Sequence, residues 1–524
     1  MASERAPIRL ADMIAALSLA TDLAMGQPMA FALRSCVVSV RLGEALGLDD
    51  AQLSEIYYQA LLRYIGCNAD TDVFAALFGD ELALRRDFAL IDSGKLPDVL
   101  RMLARHIGAA NEGAGPLRKA LNVARGLGVA KGVTHDAFAG HCEVAQRLAE
   151  RLGFSGSVVD ALGQLYERWD GRGEPNGVKG EAIAPAVRVV SLVQDALAVY
   201  DAHGADAAVE IVRERRGSAY DPAIADRFCA QASSLLPLFA TEPTWEDVLA
   251  LEPGPRVVLS DADFHRACVA MADFADLKSP FSLGHSRAVG ELAARAAERC
   301  GLTDDDVSAI ERAGLLHDIG SVAVSSGIWC KTSALSEADT ERIRMHAYYT
   351  ERVLARSPAL AQLGAIAAQH HERLDGSGYH RAMRASALSP GGKLLAAADT
   401  YQAMIERRPH RPAHAAEAAA AELKREAREG RLDPDAVTAV LAAAGHRVAP
   451  AGRELVAGLT ERELAVLRLL ARGRSTKQIA AELQIAPKTA DNHIQSIYSK
   501  AHVSTRAGAT LFAVERGLLG DARV

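Results

Sequence analysis

The chain has 524 residues, 49% of them hydrophobic and 24% charged, an ordinary globular composition with length for roughly three domains. No apolar run reaches the ~18 residues of a membrane span, and the opening "MASERAPIRLADM" lacks a signal-peptide core, so a cytoplasmic protein without membrane contact is expected. Seven cysteines with no C-x-x-C pair argue against a disulfide framework or a zinc ribbon.

Strand-like alternation is almost absent and apolar residues recur at helical spacing throughout, as in "RAVGELAARAAERCGL", which predicts an all-α chain. Residues 1–237 carry "QALLRYIGCN" (59–68) and "YERWDGRGEP" (166–175). Residues 257–447 repeat these frames as "AGLLHDIGSV" (313–322) and "HERLDGSGYH" (371–380), at offsets of 254 and 205 residues. A whole helical domain is therefore expected to be duplicated. The difference between the offsets puts 49 extra residues in the first copy, between positions 68 and 138. The proline-bearing "LFATEPTWEDVLALEPGPR" (238–256) reads as the connection between copies, and "GHRVAPAGREL" (445–455) as the link to a last domain, 455–524.

The second copy collects His285, His317, Asp318, His346, His370, His371 and Asp399. Several lie inside apolar helix patterns, where an unpaired polar group is costly to bury. Any one alone reads as a core histidine bonded to a carbonyl, but five His with two Asp exceed what one tetrahedral ion can use. Two divalent metals, iron or manganese, are expected. His317 and Asp318 would be the catalytic pair, with Asp318 able to bridge both ions and attack falling on a phosphorus centre. At the matching positions the first copy has Phe31, Arg63, Tyr64, Leu165, Tyr166 and Gln194, and keeps only His141. Framework residues Ile65, Gly66, Asp170, Gly171 and Gly173 survive in both copies, so the first copy is expected to be metal-free and structural or regulatory.

The segments "GHSRAV", "LLHDIG", "HHERLDGSGYH" and "AAADTYQAM", in this order across roughly 257–445, resemble the HD-GYP branch of the HD metal-dependent phosphohydrolases. The resemblance implies an all-helical domain whose two- or three-metal centre, held by the seven residues above, hydrolyses cyclic di-GMP. It also implies that Arg408 and Arg411 in "ERRPHRPA" contact substrate phosphates, a task that suits guanidinium forks; without it they read equally as solvated helix-end charges. Three positions depart from the family. Ser321 replaces its lysine, so turnover is expected to be slow or absent. Gly378-Tyr379-His380 replaces Gly-Tyr-Pro, altering a turn used for cyclase partners, and Phe281 offers no carboxylate for a third ion.

Residues 459–519 hold nine Lys plus Arg against five Asp plus Glu in a chain of net charge -7, which points to an anionic partner. Capping boxes at Thr460/Glu463 and Ser475/Gln478, and Pro487 in a first turn, predict the starts of three of four short helices. Lys477, Lys488, Thr489, Asn492, His493 and Lys500 are candidate DNA contacts, with Ile494 and Ile497 facing a core; a small packing module with a polar face is the plainer alternative. "LTERE", "STKQIAAEL" and "APKTADNHIQSIYSKAHVSTR" are similar to the LuxR-type helix-turn-helix. That similarity implies binding to double-stranded DNA as a homodimer through the last helix, about 504–517, with Ala486 standing where the family often has a Ser cap. Two functions are open: a transcriptional regulator whose metal domain binds or hydrolyses a phosphorylated nucleotide such as cyclic di-GMP, or a cyclic di-GMP phosphodiesterase that its DNA-binding tail only localises. A structural metal is the third, against which stands the closed, single-ion habit of such sites.

Overall fold

Leu10–Ala24 (α1) is mostly apolar, and every residue in it except Leu23 is buried, the Asp12 and Asp22 carboxylates included. A helix of that kind belongs inside a fold rather than on its surface. In the computed structural model, which describes residues 7–113, 115–154, 156–447 and 459–515, it packs on α2 (Phe31–Ala45) and α3 (Asp50–Leu62). The extra residues of the first copy form α4 (Thr71–Phe78), α5 (Glu81–Phe88), α6 (Leu96–Ala110) and the first half of α7 (Pro116–Arg151). They bury a small core of their own from Phe74, Phe78, Leu84, Met102, Leu103 and Ile107. Pro185–His203 (α8) closes the copy against α2 and α3.

The second copy comprises α9 (Asp261–Asp276), α10 (His285–Arg299), α11 (Asp304–Leu316), α12 (Glu337–Leu354), α13 (Ala361–Ala367) and α14 (Pro390–Ile405). Ser260, Thr303, Ser336 and Ser389 cap four of these with side-chain oxygens on first-turn amides. The duplication is visible in individual bonds. The Asp22 carboxylate accepts from the Ala32 amide at 3.0 Å, and Asp276, 254 residues on, accepts from the Ser286 amide at 3.0 Å. Ala30 and Gly284, one position before each helix start, both take left-handed φ, 74° and 79°. Gln164 accepts from the Ala184 amide and Gln369 from the Ser389 amide, again at matching positions.

The two copies do not form separate domains. Residues up to His446 make one compact unit, whose core mixes Met13, Leu17, Phe31 and Leu62 with Phe264, Met271, Leu316 and Leu354. α1 is shared, touching α12 and the tight turn Ile319–Ala323 of the second copy. The 238–256 connection is no free linker either. It holds a capped helical turn, Trp245–Ala250, whose buried indole donates to Asp12 at 2.9 Å, and buried Glu252 accepts from Arg9 and, at 2.5 Å, from Tyr58. Among the described residues no strand occurs, and no helix is long and apolar enough to cross a membrane.

The described residues 459–515 belong to a second unit, with α15 (Glu461–Ala471), α16 (Thr476–Glu482), α17 (Pro487–Lys500) and α18 (Arg506–Glu515) around Leu459, Val466, Ile479, Ile494 and Ile497. Most of the 445–455 link, and the expected end of the last helix at 516–517, lie outside the described residues. Both capping boxes form. Glu463 does more than cap: it accepts from Ser496 Oγ at 2.5 Å and from Lys500 Nζ at 2.7 Å. Burial alone would raise its carboxyl, but donors from Lys500, Ser496 and Thr460 hold it down to about 2. Because this value is lower folded than unfolded, the contribution is complete above the ordinary 4.5 and fades as pH falls toward 2. Calorimetry of the full chain should show Glu463→Gln losing about 1–2 kcal/mol in this unit at neutral pH, with the gap to wild type closing on acidification.

Candidate functional site

His285 is the first residue of α10, turned into place by the left-handed Gly284 and the Asp276 cap on Ser286. His317 and Asp318 end α11 and lead into the tight turn at Ile319. That turn lies directly on α12: a methyl added at Gly320 would collide with the His346 carbonyl oxygen and the Thr350 amide nitrogen. Thr350 locks the contact, donating to the His317 carbonyl at 2.8 Å and accepting from the Gly320 amide at 3.0 Å. His346 projects from α12, His370 and His371 follow α13, and Asp399 comes from α14. The fold brings all seven side chains together.

Their nitrogens are pre-set. Nδ1 of His317 and of His370 each meets a backbone carbonyl at 2.7 Å, Gly314 and Ala367, and Nδ1 of His346 meets that of Ile343. A carbonyl only accepts, so these rings carry hydrogen on Nδ1 and turn an Nε2 lone pair inward. His346 Nε2 and His370 Nε2 then face each other at 3.0 Å, and buried His317 Nε2 has no hydrogen-bond partner. Facing lone pairs repel unless a cation lies near both. Asp318 supplies matching charge: Oδ1 is 3.4 Å from His346 Nε2 and 3.6 Å from His370 Nε2, while Oδ2 is 3.5 Å from His317 Nε2. Asp399 divides in the same way, Oδ1 being 3.2 Å from His285 Nε2 and 3.8 Å from His317 Nε2, with Oδ2 3.6 Å from His371 Nδ1. The atoms fall into three overlapping groups, His346/His370/His371, His285/His317/Asp399 and His317/Asp318/His370. Orphaned imidazole nitrogens around two carboxylates fit divalent cations.

Burial would raise the carboxyl of Asp318, but the surrounding histidines hold it well below the usual range, and Asp399 likewise. Burial with His317 and His346 pushes His370 down to about 3. His285 differs: burial opposes its charge, yet hydrogen bonds to Asp399 and Glu406 prevail and lift it to about 10. Glu406, 2.9 Å from His285 Nδ1, is a site residue that sequence reasoning missed, since a lone Glu in "MIERRPH" carries no spacing signal. Trp329 and Tyr379 were missed as site neighbours too. Their rings lie 5.8 Å from His346 and 4.7 Å from His371, and the Trp329 indole donates to the Ser321 carbonyl at 3.1 Å.

Arg411 is not free for a phosphate. Its guanidinium donates to the carbonyls of Ala403, Met404, Glu406 and Pro412 at 2.6–3.1 Å, closing the C-terminal end of α14 where carbonyls lack helical partners. Arg408 is drawn to Glu406 at 3.2 Å and the Phe281 carbonyl at 3.5 Å, and remains partly exposed. The Gly378 turn keeps its tight geometry, with no room for a side chain against Glu372 and Arg373, and His380 Nε2 pairs with Glu351 at 2.8 Å.

In the first copy the equivalent space is filled by side chains that bond in part to one another and to the backbone. Arg63 donates to Ser191 at 2.7 Å, and Gln194 to Ser35 and the Ala60 carbonyl at 3.2 Å. The Tyr166 hydroxyl bridges His141 and Cys67 at 3.1 and 3.2 Å, while Phe31 and Leu165 pack the remainder. In the C-terminal unit Lys477, Lys488, Thr489 and Asn492 are exposed, His493 is half-buried, and Ile494 and Ile497 are buried. Ala486 begins α17 without a side-chain cap. Lys500 differs from the expected DNA contact: its ammonium is held by Glu463, from 37 residues away, at 2.7 and 3.0 Å.

The HD domain family matches residues 119–224 and 270–436, and the bacterial regulatory proteins of the luxR family match residues 457–513. A 3'3'-cGAMP-specific phosphodiesterase of Vibrio cholerae is 28% identical over 77% of this chain and 88% of its own length. A cyclic di-GMP phosphodiesterase of Thermotoga maritima is 38% identical over 30% of this chain and 43% of its own. A solved structure of a cyclic GMP-AMP-specific phosphodiesterase of V. cholerae superposes with a TM-score of 0.58 at 24% identity, covering 84% of this chain and 99% of that one, which shows the shared fold. With the metal-ligand geometry in one unit and the helix-turn-helix in the other, the chain belongs to the HD domain family and ends in a luxR-family DNA-binding domain.

Proposed function

We propose that the protein is a DNA-binding regulator whose second HD copy hydrolyses a 3',3'-linked cyclic dinucleotide. The observation that carries this reading is the division of the Asp318 and Asp399 oxygens between separate histidine groups, which suits two cations side by side. His285, His317, Asp318, His346, His370, His371 and Asp399 would hold the metals, with iron or manganese favoured by the mixed imidazole and carboxylate donors. Bound divalent cations would supply Lewis acidity toward water and a phosphodiester. The chain's own residues do the rest: Thr350 and the Gly314, Ile343 and Ala367 carbonyls orient the rings, and Glu406, accepting from His285 Nδ1, keeps that proton away from Nε2. Arg408 is the guanidinium left to meet a substrate phosphate.

The relative matched along most of its length acts on 3'3'-cGAMP, and the shorter match acts on cyclic di-GMP. We take 3'3'-cGAMP as the first substrate to try and cyclic di-GMP as the second. Lys477, Lys488, Thr489 and Asn492 would face DNA phosphates and base edges. α18, where Leu511 is 58% exposed, would pair two copies on a two-fold site. Ser321 gives a second reading its footing: with a hydroxyl where a lysine would carry charge, the domain would bind the nucleotide and signal without cleaving it. Purified protein loaded with manganese or iron should convert 3'3'-cGAMP to linear product, and a His317→Ala/Asp318→Ala variant should not. Tight nucleotide binding without product would establish the sensor instead, and neither binding nor product with either nucleotide would remove the proposal.

A further inference from the structure

The first copy reaches into the second at one fully buried ion pair. Glu81, at the start of α5, is 0% exposed, and Lys278, just after α9, is 1% exposed. Lys278 Nζ donates to Glu81 Oε1 at 2.9 Å. The same carboxylate accepts from the Ser326 amide at 2.7 Å and from Ser325 Oγ at 2.6 Å. Three donors from two segments of the second copy thus converge on one side chain of the first. Both segments lead straight to metal ligands. Lys278 lies between Asp276, which caps α10, and His285; Ser325 and Ser326 follow the Ile319–Ala323 turn that continues from His317 and Asp318.

Other bonds tie the same two segments together. Ser326 Oγ donates to the Lys278 carbonyl at 2.7 Å, and Thr71 of α4 donates to that carbonyl at 3.0 Å. Asn68 donates to the Phe274 carbonyl at 3.1 Å. Trp329, at the end of the helical turn that Ser326 begins, carries the order inward through its bond to Ser321 and its ring against His346. Thr71 and Glu81 belong to the residues that only the first copy has.

We infer that Glu81 of the first copy is a positioning residue for the metal centre of the second, holding the His285 segment and the loop after Asp318 in register. A buried charge pair adds little net stability, and one whose carboxylate gathers three donors from two segments can serve instead to fix their geometry. The inference uses the proposed metal site but not its substrate. Its test is therefore cation binding, which can be read even in a protein that turns over no nucleotide.

Manganese titration, followed by loss of the free-ion spectroscopic signal, should show Glu81→Ala binding the cation roughly tenfold or more weakly, the scale seen when groups that orient ligands are lost. A charge left alone in the interior can prevent folding, so the charge-free double variant Glu81→Gln/Lys278→Met is the second arm. It should fold, melt near wild type, and still bind manganese more weakly because the ion pair no longer holds the two segments in register, the bonds to the Lys278 carbonyl alone being left to join them. Glu252→Gln is the comparison. It breaks another buried pair between elements, to Arg9, whose partners carry no ligand, and should lower the melting temperature with manganese affinity unchanged. A folded double variant with wild-type manganese affinity overturns the inference, as does an equal loss of affinity in Glu252→Gln.

Discussion

Asp318→Ala should weaken cation binding by more than a hundredfold and take hydrolysis to background. The two oxygens of this side chain serve different histidines, Oδ1 facing His346 and His370 and Oδ2 facing His317. Its loss therefore removes charge from both halves of the centre at once, where the loss of an orienting neighbour costs about 10- to 100-fold. The remaining imidazoles would face one another with unpaired lone pairs in a buried space, and none could supply the missing negative charge. Asp318→Asn should fare little better, since an amide keeps the shape and one acceptor but not the anion. His141→Ala in the first copy is the matched comparison, and it should leave cation affinity untouched. Manganese titration and product analysis on the same preparations separate loss of metal from loss of chemistry. Wild-type affinity in a folded Asp318→Ala protein would mean that the cations are held elsewhere.

Gly320→Ala should cost about 3 kcal/mol or more and displace a ligand helix. The added methyl has nowhere to go: the His346 carbonyl oxygen and Thr350 amide nitrogen already fill its position, and both are backbone of α12. Either the Ile319–Ala323 turn or α12 must shift, which is the strain that overpacking produces. The duplication supplies an internal comparison. Gly66 meets the His141 carbonyl in the same way in the first copy, so Gly66→Ala should destabilise by a similar amount, while only Gly320→Ala should also weaken manganese binding through His346. Urea denaturation monitored by helical signal gives the stabilities. A Gly320→Ala protein as stable as wild type would refute the close packing described between turn and helix.

The all-helical character, the duplication and the seven clustered side chains could be read in the sequence because each rests on local pattern or on internal comparison. His285 and Phe31, or Asp399 and Gln194, are informative only as pairs, and the second copy made the first interpretable. The capping boxes at Thr460 and Ser475 are local in the same sense. What escaped is contact between distant elements. Helical periodicity tells which face of α5 is polar but not that Glu81 will meet Lys278, 197 residues on. Prolines near 243 and 253 read as a linker, yet Trp245 and Glu252 bury there and join the copies. Arg411 and Lys500 looked available for phosphates because a sequence does not display helix-end carbonyls or a carboxylate brought from 37 residues away.

The most direct test of the account is the cation content of the intact protein. After purification without chelators and loading with manganese or ferrous iron under anaerobic conditions, elemental analysis should find about two divalent ions per chain, released by acid as the histidines gain protons. A chain that is fully helical and cooperatively folded, yet retains no ion from either metal, would contradict it.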